Sequence, residues 1–315
     1  MGRQRPLVWI GLIAFLLLAA SASVAIGPGG LSGENAKPLL TLRLIRLGLG
    51  VFAGGVLSLV GAALQGLLQN PLVDPFTLGV ASGGALGSAL ILTSGRATNL
   101  LTPLGGLFGA WTAMLLVWLL ARVRGRVTVT GLVLAGVIMS FLFSSLLMLV
   151  MVLSRRTIGE AVFVMMGHLS AVFTAPSLLL FAGAGTFSIA GCCWLWSYSR
   201  QIDIMSTSEE AAQSLGVDTG RLIQTVFFVS SVLVGLVVSF TGAISFVGLV
   251  VPHIVRMLLG PNHARLLPGS FIAGAGTLLL ADVLARNVVP GGLPLSVVTA
   301  LIGVPFFIYL LRRKL

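Results

Sequence analysis

The sequence predicts an all-α integral membrane protein, with about ten transmembrane helices in a single domain covering residues 1–315. Three observations carry this. Only 9% of residues are charged and 57% are hydrophobic, whereas soluble domains carry about 25% charged residues. Mean hydropathy is +1.09. The apolar residues are gathered into runs, most of them near the length of about 20 residues that a helix needs to cross a bilayer. A surface this poor in charge belongs in lipid, so domain counting by length does not apply.

The first run, at about 7–26, follows Arg3 and Arg5. Ala20-Ser21-Ala22 imitates a signal-peptidase site. The run is longer than a usual signal core and more spans follow, so an uncleaved first helix with a cytoplasmic N-terminus is expected. Further runs lie at about 44–68, 76–92, 100–120, 132–153 and 177–197. After a polar segment come runs at about 222–240, 244–259, 267–284 and 295–311. The run at 244–259 is under spanning length and reads as a partial helix.

An even number of spans puts both termini on the cytoplasmic side, and the basic residues test that topology. Twelve fall on expected cytoplasmic segments: Arg3, Arg5, Arg122, Arg124, Arg126, Arg200, Arg221, Arg256, Arg265, Arg312, Arg313 and Lys314. Seven fall on expected external ones: Lys37, Arg43, Arg46, Arg96, Arg155, Arg156 and Arg286. The bias follows the positive-inside rule. The net charge of +11 is therefore topological, and no basic stripe for nucleic acid is present. The external arginines at span ends read either as lipid-headgroup anchors or as contacts for a specific partner.

Many of the 40 glycines stand at close-packing spacing, as in Gly50-x-x-x-Gly54 and Gly105-x-x-x-Gly109. Small residues let helix backbones approach where lipid supplies no hydrophobic drive. Cys192 and Cys193 are adjacent, a poor arrangement for a disulfide, and no further cysteine exists to build a metal site.

Three segments break the apolar pattern. In Gln69-Asn70-Pro71-Leu72-Val73-Asp74-Pro75-Phe76-Thr77-Leu78-Gly79, two prolines and an aspartate interrupt hydrophobic sequence. This is either a tight cytoplasmic turn or a turn lining a pathway. Residues 200–221 form the longest polar stretch. There Ser208 can cap a short helix whose first turn holds Glu209 and Glu210, and Gly216 stops it. Two turns of helix have little intrinsic stability, so a packing partner is required, in this chain or another. In Thr241–Arg256, small residues, Pro252, His253 and Arg256 share one turn region. His253 reads as an interfacial or capping histidine in preference to a proton relay, because no second titratable group stands beside it.

Enzyme motifs fail. Gly79-Val80-Ala81-Ser82-Gly83 has the wrong spacing for a nucleophile elbow. No H-E-x-x-H, phosphate-binding loop or paired-cysteine motif occurs, and His168, His253 and His263 sit apart in separate loops. Within the spans Asp282 alone is a candidate ion-coupling carboxylate. That argues against a self-contained secondary transporter or channel, and against an intramembrane enzyme. Energy is expected to come from another subunit.

The stretches GAALQGLLQNPLVDPFTLGVASGGALGSAL, SEEAAQSLGVDTGRL, FTGAISFVGLVVPHIVRMLLGPNHARLLPG and LLLADVLARNVVPGGLPLSVVTALIGVPFFIYLLRR resemble the FecCD (BtuC-like) family of importer permeases, from about Arg43 to the C-terminus. The resemblance implies a type II ABC importer permease fold, in the cytoplasmic (inner) membrane of a prokaryote. It implies a homodimer with the pathway at its interface, two cytoplasmic ATPase subunits and a periplasmic or lipid-anchored substrate-binding protein. This chain would then bind no cofactor, ATP and magnesium being used by the ATPase partner. The cargo would be an iron chelate (siderophore or haem), with cobalamin as the alternative.

Residue by residue, the resemblance makes Glu209, Glu210, Gln213, Ser214, Leu215 and Gly216 the ATPase coupling helix. It makes Arg43, Arg46 and Arg286 receptors for acidic residues of the binding protein, and Asn70 and Leu72 a cytoplasmic gate turn. Thr128 and Thr130 fall at a hydroxyl-rich gate, although Val129 between them is apolar. Asn262 stands where the family commonly carries aspartate before the histidine.

Overall fold

The computed structural model describes residues 5–28, 36–123, 126–154, 166–169, 173–289 and 291–314. The topological assignments of Arg3, Arg124, Arg155 and Arg156 lie outside them. Each of the ten expected spans meets a helix. In chain order these are α1 (Arg5–Ala25), α2 (Ala36–Leu67), α3 (Val80–Thr93), α4 (Leu101–Ala121), α5 (Val129–Leu153) and α6 (Ala175–Ser197). Two short helices follow, α7 (Ser199–Met205) and α8 (Glu209–Ser214). Then come α9 (Thr219–Thr241), α10 (Val247–Leu259), α11 (His263–Val288) and α12 (Leu295–Lys314).

Seven of these, α1, α2, α4, α5, α6, α9 and α11, are long and apolar enough to cross a membrane. The apolar helices α3 and α10, and the apolar part of α12, are shorter. The 13 residues of α10 match the partial helix expected there.

Helix α11 runs four residues past the expected 267–284 at each end, and two other starts, those of α2 and α3, differ for reasons the structure shows. Helix α2 begins at Ala36 and runs for 32 residues, so Lys37, Arg43 and Arg46 lie inside it. Their charge lowers the local hydropathy that marks a span, but the bundle supplies acceptors for the arginines. Helix α3 begins at Val80, later than expected, because Pro75–Leu78 form a separate 3-10 turn. Asp74 caps that turn through the N–H of Phe76, and Gly79 ends it at φ 76°. Between α4 and α5 lies a two-residue antiparallel hairpin, β1 (Arg122–Val123) with β2 (Arg126–Val127), which periodicity had no means of showing.

The bundle is layered around α2. Within the spanning windows, 83% of α2 and 72% of α9 and α11 are buried, against 17–33% for α1, α4, α5 and α6. The inner helices touch protein on most sides and the outer ones present leucine, phenylalanine and isoleucine outward. Helix α2 packs most extensively on α11, α1 covers the far side of α11, and α3 pairs with α4.

Glycine sets the closest crossings. A Cβ at Gly54 would run into the carbonyl of Gly274 on α11, and one at Gly61 into the carbonyl of Gly248 on α10. Gly105 and Gly109 similarly face Gly87 and Gly83, which joins α3 to α4. The glycine spacings in the sequence therefore mark real helix contacts, gained through dispersion at short backbone separation.

Thr241–Arg256 is not one turn region. Residues 242–246 are irregular and α10 follows, with His253 inside it. The His253 ring lies 6.3 and 6.2 Å from the rings of Phe306 and Phe307, so it packs within a helix and does not stand at a helix end.

Candidate functional site: a short capped helix, a turn and an arginine rim

Two groups of the expected functional residues lie at one end of the bundle. Ser208 caps α8, its Oγ accepting the N–H of Ala211 at 3.0 Å. Glu209 and Glu210 occupy the first turn, where negative charge complements the dipole. Gly216 at φ 80° ends the helix, with Val217 donating back to Ala212 O at 2.9 Å.

The packing partner that so short a helix requires is partly in this chain. Ala212 is buried, Gln213 Nε2 donates to Thr219 Oγ1 at 3.2 Å, and Thr219 Oγ1 donates to Glu209 Oε1 at 3.4 Å. Glu209 and Gln213 are thereby tied to the start of α9, while Glu210, Ser214, Leu215 and Gly216 are exposed. Leu215 is 70% exposed at the tip, an apolar side chain with no cover from its own chain.

The turn after α2 lies nearby. Asn70 Oδ1 accepts the N–H of Leu72 at 2.9 Å, closing an Asx-type turn, and both residues are exposed. Gln69 just before it has φ 50°, a left-handed value unusual for glutamine. Its side chain donates to Met205 O of α7 at 2.8 Å.

Thr128 N-caps α5 through the N–H of Gly131 at 3.1 Å, and Thr130 is exposed in the first turn. Thr128 lines a cavity of about 850 Å³ together with Glu209, Gln213, Thr219 and Arg221. Its surroundings are therefore those of α8 and the start of α9. The apolar Val129 between the two threonines is explained by position, since it is the first residue of α5.

At the opposite end of the bundle, Arg43, Arg46 and Arg286 converge. Asp282 is the centre of the group, with Arg46 at 3.9 Å and Arg286 at 3.5 Å from its two oxygens. This single carboxylate neutralises structural arginines, and the sequence reading, which considered it only for ion coupling, missed that. The i,i+4 spacing of Asp282 and Arg286 on a helix was the available signal.

Arg43 is only 3% exposed and donates to the carbonyls of Val24, Ala25, Gly27 and Pro28. Those of Val24 and Ala25 are orphan acceptors at the C-terminus of α1 and those of Gly27 and Pro28 follow just after it, and low-dielectric surroundings cannot leave them bare. Arg286 also reaches back to Ser23 O at 2.6 Å and is 9% exposed. The expectation of three arginines open to an outside partner thus changes. Two are buried against their own chain, and Arg46, with a side chain 22% exposed, is the most open.

The model of the FecCD transport family matches residues 7–313. The chain belongs to the FecCD transport family. It is 37% identical to the cobalamin import system permease protein BtuC of Halobacterium salinarum, over 89% of this chain and 75% of that one. It is 34% identical to the molybdate import system permease protein MolB of Haemophilus influenzae, over 98% and 97%. A solved structure described as an inward-facing conformation of a metal-chelate type ABC transporter superposes with a TM-score of 0.86 at 32% identity, covering 98% of this chain and 99% of that one. As a FecCD protein this chain is a multi-pass membrane permease of the ABC importer class. In that class ATP is hydrolysed by separate subunits, in keeping with the failure of every enzyme motif in the sequence.

Proposed function

We propose that this permease carries an iron chelate, a siderophore complex or haem, across the inner membrane by alternating access at the interface of a homodimer. Two ATPase subunits seat on the end that carries α8, and an external binding protein delivers cargo to the end that carries Arg46. The N- and C-termini then lie in the cytoplasm. Leu215 carries the reading. A capped two-turn helix, tied to its own chain through Glu209 and Gln213, holds an apolar side chain 70% exposed at its tip. Cover by a partner would remove its apolar area from water, a gain of about 25 cal/mol per Å².

Leu215→Asp in the reconstituted complex should abolish cargo-stimulated ATP hydrolysis while the permease still inserts and folds. Normal stimulation would refute the assignment of α8. The likeness to a metal-chelate type transporter favours an iron chelate. The 37% identity to a cobalamin permease favours cobalamin as the second reading. Uptake of radiolabelled ferric siderophore, haemin, cyanocobalamin and molybdate into vesicles holding the complex and its binding protein separates the readings.

A further inference from the structure

The short helix α7 bridges a membrane span and the coupling helix, and only Ser206, Thr207 and Ser208 separate it from α8. It is firmly seated, with Ile202 and Met205 fully buried. Three polar ties fix its position. Asp203 Oδ1 accepts both the backbone N–H of His263, at 2.8 Å, and its Nδ1–H, at 2.6 Å. Met205 O accepts from Gln69 Nε2 at 2.8 Å. Just before α7, Trp196 Nε1 donates to Ala264 O at 2.9 Å.

The first tie replaces a missing cap. Asn262 occupies the N-cap position of α11 but makes no side-chain capping bond there. The first N–H of α11 is bound instead by a carboxylate from α7, which also places negative charge at the positive end of α11. His263 is 3% exposed, and its ring lies so close to Gly66 of α2 that a Cβ there would collide with it. The end of α2, the start of α11 and all of α7 are thus one packed block.

The second tie ends at a strained residue. Gln69 and Phe246 alone among the described non-glycine residues have positive φ. Such a conformation persists only where the surroundings hold it. The bond from Gln69 to Met205 O does so, and the next residue is Asn70, whose side chain shapes the turn to Leu72.

We propose that Gln69 and the Asp203–His263 pair are positioning residues that transmit movement of α8 to the turn at Asn70–Leu72. This deepens the permease reading and rests on it. A push on α8 displaces α7, and α7 cannot move without drawing on Gln69 and on the first turn of α11. Coupling between sites of this kind travels through packed elements with discrete arrangements.

The test uses the permease with Cys192 and Cys193 replaced by alanine and Asn70→Cys added, reconstituted with its ATPase subunit. The rate of maleimide labelling at position 70 is measured without nucleotide, with ATP and with ADP-vanadate. Gln69→Gly suits the backbone, since glycine accepts φ 50°, and it deletes the amide donor. Asp203→Ala deletes the cap, whereas Asp203→Asn keeps an oxygen for the His263 N–H.

Gln69→Gly and Asp203→Ala should each cut the ratio of labelling rates between nucleotide states by about threefold or more. ATP hydrolysis should stay close to the parent, Gln69→Gly should melt no lower than the parent, and Asp203→Asn should retain more of the ratio than Asp203→Ala. An unchanged ratio in both deletions overturns the proposal. So does a loss of ratio seen only in variants that also melt earlier, which marks a purely structural tie. Leu215→Asp is the separate arm. If it leaves ATP hydrolysis and the labelling ratio intact, the coupling-helix reading itself fails, whatever the ties do.

Discussion

Asp74 binds two amides from distant parts of the chain, Oδ1 accepting the N–H of Phe76 at 3.0 Å and Oδ2 that of Phe246 at 3.2 Å. The first bond shapes the turn between α2 and α3. The second fixes the irregular segment before α10, where Phe246 is held at φ 69° with its ring against Gly303 of α12. One carboxylate therefore joins two stretches of non-α-helical backbone, 69–79 and 242–246. Backbone of this kind survives near a membrane only when its polar groups are satisfied from within.

Burial pushes the Asp74 carboxyl up to about 6, against the opposing pull of its bonds from Phe76 and Phe246. A folded-state value above the unfolded value of 3.8 means that the folded protein holds this proton more tightly. The stabilisation from that proton is fully present below about 4 and is lost as pH rises through about 6. Thermal midpoints of the detergent-solubilised permease should therefore show a falling component between about pH 4 and pH 6.5 that Asp74→Asn removes. Asp74→Ala should lower stability at every pH, by about 2 kcal/mol, because it leaves two buried amides without acceptors. A parental slope in Asp74→Asn would show that another group titrates.

The glycine crossings make a second prediction, with a control in the same protein. Gly54 on α2 faces the backbone of Gly274, which cannot give way as a flexible side chain would. A Cβ added at Gly183 on α6 would meet nothing within 4 Å. Gly54→Leu should abolish the monodisperse peak in size-exclusion chromatography, since overpacking costs about 1–3 kcal/mol and more where backbone is met. Gly183→Leu should elute as the parent does. Equal behaviour of the two variants would show that the α2–α11 crossing is not set by glycine.

These cases show which parts of the molecule were legible in the sequence. The ten apolar runs were, since each meets a helix, and seven of those helices are long and apolar enough to cross a membrane. The short helix α8 was, because Ser208, Glu209 and Gly216 act within a few residues of one another and their capping chemistry is local. The start of α2 was not, because Arg43 and Arg46 lower its hydropathy and their compensation comes from α1 and from Asp282. The place of His263 was hidden for the same reason, since its partner Asp203 lies 60 residues away in sequence. The same holds for the bond from Asp74 to Phe246, 172 residues apart. Interactions that close over long sequence distances leave no spacing to read.

The arginine rim gives the last prediction. Arg46 and Arg286 share Asp282, and Arg43 stands close by on the carbonyls of α1. Three guanidinium groups with one carboxylate leave an excess of positive charge in a largely buried place, where pairing matters more than at an open surface. Two roles follow, and they fall on different residues. Asp282 holds the group together, so Asp282→Ala should destabilise the fold by about 3–5 kcal/mol, the usual cost of breaking a buried pair. Its melting midpoint should drop well below that of the parent. Arg46 has the more open side chain and makes the longer contact to Asp282, so its charge is the one an outside partner can reach. Arg46→Glu should therefore weaken docking of the binding protein, most at low salt where steering between charges is strongest. ATP hydrolysis by the detergent-solubilised complex without binding protein should remain at the parental rate. A carboxylate on the partner that normally meets Arg46 should, when changed to arginine, restore part of the affinity for Arg46→Glu. Surface plasmon resonance at two salt concentrations reads the effect directly. An affinity for the binding protein that is unchanged at both concentrations assigns Arg46 to the internal network around Asp282 alone.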